Sequence, residues 1–139
     1  MRFVVIALAV AAAAFSSAAM AAKPSPLGPA PASGTGLPAG QCIRSSEIRN
    51  HTVGDRNTLL IDVQGKGAYR VTMKGACLAG ATSSDPIVTR SPPGAPLICK
   101  PIDMDVAISI GGFATPCIVD SIVKMSPEEV AALPKKLKP

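Results

Sequence analysis

The chain contains a single histidine, His51, so any Ser-His or Cys-His mechanism is confined to its surroundings. No G-x-S-x-G turn supplies a nucleophile to go with it. A second candidate group is Asp103, Asp105 and Asp120. Asp103 and Asp105 alternate with apolar residues, which on a strand puts both carboxylates on one face roughly 7 Å apart, and Asp120 on a later strand can join them. Three carboxylates suit a hard cation such as calcium, and two suit an acid and base pair. The simpler reading is a surface histidine beside a turn and a solvated acidic face, because no loop has calcium-binding spacing and no glycine loop cradles phosphate between a strand and a helix. No catalytic, cofactor-binding or metal-ligating residue and no cofactor is therefore expected. Asn50-His51-Thr52 also matches the glycosylation sequon.

Cys42, Cys77, Cys99 and Cys117 are even in number and contain no C-x-x-C pair, which speaks against zinc and thioredoxin-like redox chemistry and for two structural disulfides. Three connectivities are open. The favoured one joins Cys77 to Cys99 and Cys42 to Cys117, because in a small closed sheet the first and last strands are neighbours and Cys42 and Cys117 each open a strand. By the loop-entropy relation these closures contribute roughly 3 and 4 kcal/mol before strain.

Disulfides require an oxidising compartment, and the start of the chain agrees. Met1-Arg2, the apolar run Phe3 to Phe15 and the A-x-A site at Ala19-Met20-Ala21 read as a secretory signal over 1–21, with the mature protein beginning near Ala22. An uncleaved anchor is the alternative, but Ser16 and Ser17 interrupt the run. With the signal removed, no transmembrane span is expected. The formal charge of +5 is held at the ends: between Pro24 and Pro134 there are nine basic and nine acidic residues. Only Tyr69 and Phe113 remain as aromatics in the mature chain, so neither a basic stripe nor a stacking platform for nucleic acid is present.

The elements that must position these residues are mostly strands. Residues 22–41 are rich in Pro, Gly, Ala and Ser without periodicity and read as a disordered leader, followed by a disulfide-stapled β domain over 42–134 and a basic tail over 135–139. The organising element is a hairpin from Thr58 to Lys74. Leu59, Ile61 and Val63 alternate with Leu60, Asp62 and Gln64. Tyr69, Val71 and Met73 alternate with Arg70, Thr72 and Lys74, and Gly65 and Gly67 serve the turn. With one apolar face, it must pack on further strands. Cys42 to Val53 predicts an irregular strand and Ile87 to Arg90 a short edge strand. Ser91 to Pro96 predicts an exposed loop, since three prolines in six residues forbid helix and ladder alike. Ile102 to Ile110 places five apolar residues on one face, and Cys117 to Met125 forms a further, central strand. Ser126-Pro127-Glu128-Glu129 opens a short helix with a capping box, and Pro134 stops it. The expected fold is all-β: a small barrel of five or six mainly antiparallel strands, of OB-like or SH3-like size, with one C-terminal helix. A β-sandwich is the alternative.

Two segments, IRNHTVGDRNTLLIDVQGKGAYRVTMKGAC from Ile48 to Cys77 and TPCIVDSIVKMSPEEVAALPK from Thr115 to Lys135, resemble an uncharacterised family of small exported proteobacterial proteins, a domain of unknown function. Further marks are the D-x-x-T turn at Asp55 to Thr58 and the closing C-I-x-x-S-I from Cys117 to Ile122. The resemblance implies a compact β domain of the cell envelope and brings no activity with it. The expected function is a non-catalytic, monomeric, periplasmic or secreted domain with a binding or structural role toward an envelope protein or polymer. The alternative is a small metal-dependent or hydrolytic enzyme using His51 or the Asp103, Asp105 and Asp120 carboxylates.

Overall fold

The computed structural model describes residues 25–90 and 97–139, so the signal segment and the loop over 91–96 lie outside the described residues. Among the described residues nine strands occur in chain order: β1 (Ile43–Arg44), β2 (Ile48–Val53), β3 (Thr58–Val63), β4 (Gly67–Met73), β5 (Ile87–Arg90), β6 (Leu97–Ile98), β7 (Asp105–Ile110), β8 (Phe113–Cys117) and β9 (Val119–Lys124). One α-helix, α1 (Pro127–Ala132), follows. The strands form a four-stranded sheet ordered β2-β3-β4-β9, a three-stranded sheet ordered β5-β7-β8 and a two-stranded ladder of β1 and β6, all antiparallel.

The hairpin forms as its alternation dictates. β3 and β4 pair from Thr58↔Thr72 to Val63↔Gly67, and Lys66 N donates to Val63 O at 3.0 Å across a turn in which Gly65 (φ 72°) and Gly67 (φ 87°) take the left-handed backbone that other residues avoid. Leu59, Ile61, Val63, Tyr69, Val71 and Met73 enter one core together with Val106 and Ile108 of β7 and Ile43 and Ile98 of the small ladder. All three sheets thus give side chains to the same interior.

The expected barrel is not what the sheets make. They are not closed onto one another: β2 and β9 are the outer strands of one sheet, β5 and β8 of the other. More strands occur than the five or six expected because Leu97–Ile98 and Phe113–Cys117 add strands where none was expected and the first long run is broken. Cys42 to Val53 splits into β1, a 3-10 turn over Ser45–Glu47, and β2. The run from Cys117 to Met125 changes sheets at Ile118, with Cys117 ending β8 and Val119 starting β9.

The second face of the hairpin is buried as well, contrary to the single apolar face expected. Leu60 and Ala68 pack there with Leu27, Met125, Leu133 and Leu137 in a second cluster. Two of those residues come from segments expected to lie in solvent. From Ser25 onward the leader lies along the domain instead of trailing from it: Gly34 N donates to Asp120 O at 2.9 Å, Ile122 N to Thr35 O at 2.8 Å and Leu37 N to Cys99 O at 2.7 Å. The open edge of β9 supplies peptide groups that must be satisfied, and a segment without periodicity can do this through its backbone while burying only Leu27 and Leu37. The tail behaves likewise. Lys135–Leu137 forms a 3-10 turn that buries Leu137, and Thr52 Oγ1 donates to Lys138 O at 3.2 Å.

The helix start is built as expected. Glu129 N donates to Ser126 Oγ at 3.2 Å, Ser126 N donates to Glu129 Oε2 at 2.7 Å, and Pro127 occupies the first turn.

Candidate functional site

The residues able to do chemistry are held apart by the elements that carry them. His51 lies on the outer strand β2, opposite Ile61, and its Nε2 is 3.0 Å from Asp85 O. It borders a shallow groove of about 260 Å³ with Arg49, Asn50 and Pro86.

Asp103 is not on a strand. Pro101–Asp103 forms a 3-10 turn, and the Asp103 carboxylate accepts hydrogen bonds from Cys99 N at 3.1 Å and Lys100 N at 2.8 Å. The strand therefore starts only at Asp105 and the apolar alternation holds from Met104 onward, while Ile102, expected in the core, is 85% exposed. Proline at the start of the turn and a short acidic side chain that caps it outweigh the apolar alternation. Asp105 is exposed at the start of β7 opposite Arg90, while Asp120 on β9 accepts from Ser33 Oγ of the leader. The three carboxylates thus cap a turn, begin a strand and fix the leader. Among the described residues, no group of three His, Cys, Asp or Glu side chains is placed to hold a metal ion.

The four cysteines form two disulfides, as expected, but the pairing is Cys42–Cys99 and Cys77–Cys117. The expected pairing assumed a closed sheet. In the open arrangement Cys42 flanks β1, whose Ile43 pairs with Ile98 next to Cys99, and Cys117 ends β8. The closures span 57 and 40 residues. Each is worth about 4 kcal/mol by the loop-entropy relation.

Besides open clefts of about 750 Å³ beside Val53 and Pro134 and about 560 Å³ beside Ala68 and Val130, two smaller concave features bear on function. The first, about 400 Å³, lies where the chain changes sheets. Ile102 and Ile118 (68% exposed) line it with Lys74, Lys100 and Asp120. The second is a chamber of about 180 Å³ between the leader and the outer face of the four-stranded sheet, bordered by Leu27, Gly28, Asp55, Thr58, Arg70 and Thr72. The alternation of the hairpin places Arg70 and Thr72 on the face opposite its apolar one. Both are buried there, because the leader and α1 cover that face. The signal for this in the sequence was the helix itself: Val130 and Leu133 need a sheet face to pack on, and the face left to them is the one carrying Arg70.

Electrostatic shifts follow local contacts. The Lys66 ammonium 2.8 Å from Glu47 holds that carboxyl below its usual range, with the Arg44 backbone N–H adding to it. The Ser126 hydroxyl lowers Glu128, and burial pushes the Tyr69 phenol up.

Compared with protein-family models, curated proteins and solved structures, the chain has no match.

Proposed function

We propose that this protein is a non-catalytic, exported binding domain of the cell envelope, acting as a monomer in the periplasm or outside the cell. The observation that carries the reading is the groove at the sheet crossing. Ile102 and Ile118 are aliphatic side chains left in water by a disulfide-stapled fold that buries the other isoleucines among the described residues wholly or in part, and Lys74 and Lys100 stand beside them. An exposed apolar pair rimmed by charge is the usual mark of a contact surface. The two lysines fit a partner protein that presents an aliphatic side chain next to an acidic one. The two disulfides point to an oxidising, non-cytoplasmic compartment, and among the described residues no helix is long and apolar enough to cross a membrane. The resemblance of Ile48 to Cys77 and Thr115 to Lys135 to a family of small exported proteins supports the same reading.

The test is crosslinked capture from an envelope extract by the disulfide-intact protein, beside Ile102→Ser, Lys100→Glu and His51→Ala variants. A partner retained by the parent and by His51→Ala, but lost with Ile102→Ser and Lys100→Glu, is the expected result. Equal capture by all four proteins would remove the groove from consideration.

A further inference from the structure

Building on the reading of the groove at Ile102 and Ile118 as a contact surface, we propose that residues 33–37 of the leader regulate it. Seated, this segment holds the two walls of the groove together; released, it lets them part.

The walls come from separate parts of the chain. One is the 3-10 turn Pro101–Asp103 with Lys100 before it, which presents Ile102. The other is the crossing into β9, which presents Ile118, Val119 and Asp120. The turn lies against β9. Among the described residues, however, no hydrogen bond joins the two directly.

The leader bonds to both. Leu37 N donates to Cys99 O at 2.7 Å, just ahead of the turn. Gly36 passes so close that a Cβ built there would lie 2.7 Å from the same oxygen, 3.2 Å from Lys100 Cα and 3.5 Å from Pro101 Cδ. Toward β9, Gly34 N donates to Asp120 O at 2.9 Å, Ser33 Oγ donates to the Asp120 carboxylate, and Ile122 N donates to Thr35 O at 2.8 Å. The segment thus ties Cys99 to Asp120 and Ile122, and Ser33 and Gly34 themselves line the groove.

The same segment has the marks of a part that opens locally. Between Leu27 and Leu37 no leader residue is buried, and residues 38–41, which connect the leader to Cys42, are all exposed. The chamber of about 180 Å³ separates the earlier part of the leader from the sheet. Few buried apolar contacts and backbone hydrogen bonds close to water place a segment at the low end of local stability. Release leaves Asp120 O and Ile122 N to water, which satisfies them, and removes the contact that presses on Lys100 and Pro101. A partner seated across both walls in turn favours the seated leader, because coupling between two sites is reciprocal.

The experiment uses the disulfide-intact protein, labelled with ¹⁵N and with ¹³C at the isoleucine methyls. In the parent, the Leu37 and Ile122 amides are expected to exchange at least about a hundredfold faster than those of the inner strand β4, with no acceleration in low urea. Two variants are then read crosswise. Ser33→Ala touches the β9 wall and is read at the Ile102 methyl; Gly36→Ala touches the turn and is read at the Ile118 methyl. Both far methyls should shift, whereas a merely local role moves only the near wall, and Pro38→Ala should shift neither. Equal exchange at Leu37, Ile122 and β4 would overturn the proposal, since the leader would then open only with the whole domain. So would an unmoved far methyl in either crossed variant. These readouts need no partner, so they stand even where the groove captures nothing. Conversely, a partner lost with Ile102→Ser but held at the parental level by Ser33→Ala and Gly36→Ala would keep the groove and remove its regulation by the leader.

Discussion

Ile43 and Ile98 face each other across the ladder of β1 and β6, and this pairing sets Cys42 beside Cys99, with their Cα atoms 4.5 Å apart. Both isoleucines are fully buried, so the disulfide is built over a packed contact and ties the start of the domain to its middle. Peptide mapping without reduction should therefore recover Cys42 with Cys99 and Cys77 with Cys117. Replacing Cys42 and Cys99 by serine should cost about 4 kcal/mol in urea unfolding, within the range for native disulfides of small exported domains. Recovery of a Cys77–Cys99 peptide would contradict the arrangement.

The leader's place on the domain rests on close backbone passage at one residue. A Cβ built on Gly36 would lie 2.7 Å from Cys99 O and 3.2 Å from the Lys100 Cα, both backbone atoms that cannot turn aside. Gly36→Ala should lower stability by about 1 to 3 kcal/mol through overpacking. Pro38→Ala, an exposed change nearby, should stay within about 0.5 kcal/mol. Urea midpoints for the two variants measure the contrast, and equal midpoints would mean that the segment is not seated.

Tyr69 is the sole tyrosine and the chain has no tryptophan, so a phenolate absorbance titration reports this one side chain. Burial raises its folded value above the ordinary 10.0. A group raised on folding contributes stability that is fully present below its unfolded value and is lost as pH climbs toward the folded one. The expected outcome is a titration midpoint above pH 10.0, together with a fall in stability that starts near that pH.

Asp103 acts on the backbone. Asp103→Ala removes the acceptor for two N–H groups, at Cys99 and Lys100, and should cost about 1 kcal/mol as a lost cap. Asp105→Ala, exposed at the start of β7, should cost less than about 0.5 kcal/mol. Chemical denaturation separates the two. A calcium-dependent rise in melting temperature that disappears in both variants would instead restore a shared carboxylate site.

Period-two alternation, glycine placement and capping chemistry are local, and each acts within a few residues of where it is written. The hairpin of β3 and β4, the edge strand β5 and the capping box at Ser126 and Glu129 were legible in the sequence for that reason. The even set of four cysteines likewise implied two disulfides. What the sequence by itself did not carry was how many faces each element buries and which elements meet. Apolar alternation placed Ile102 in the core, yet a proline turn and its aspartate cap put it in water. Polar alternation placed Arg70 and Thr72 in water, yet the leader and α1 cover them. The cysteine pairing depended on whether the sheet closes, and that is decided where the chain crosses from β8 to β9 at Ile118. Each of these outcomes turns on packing between segments tens of residues apart, whose free energy comes from area removed from water and backbone groups left to satisfy. Tertiary structure alone decides both quantities.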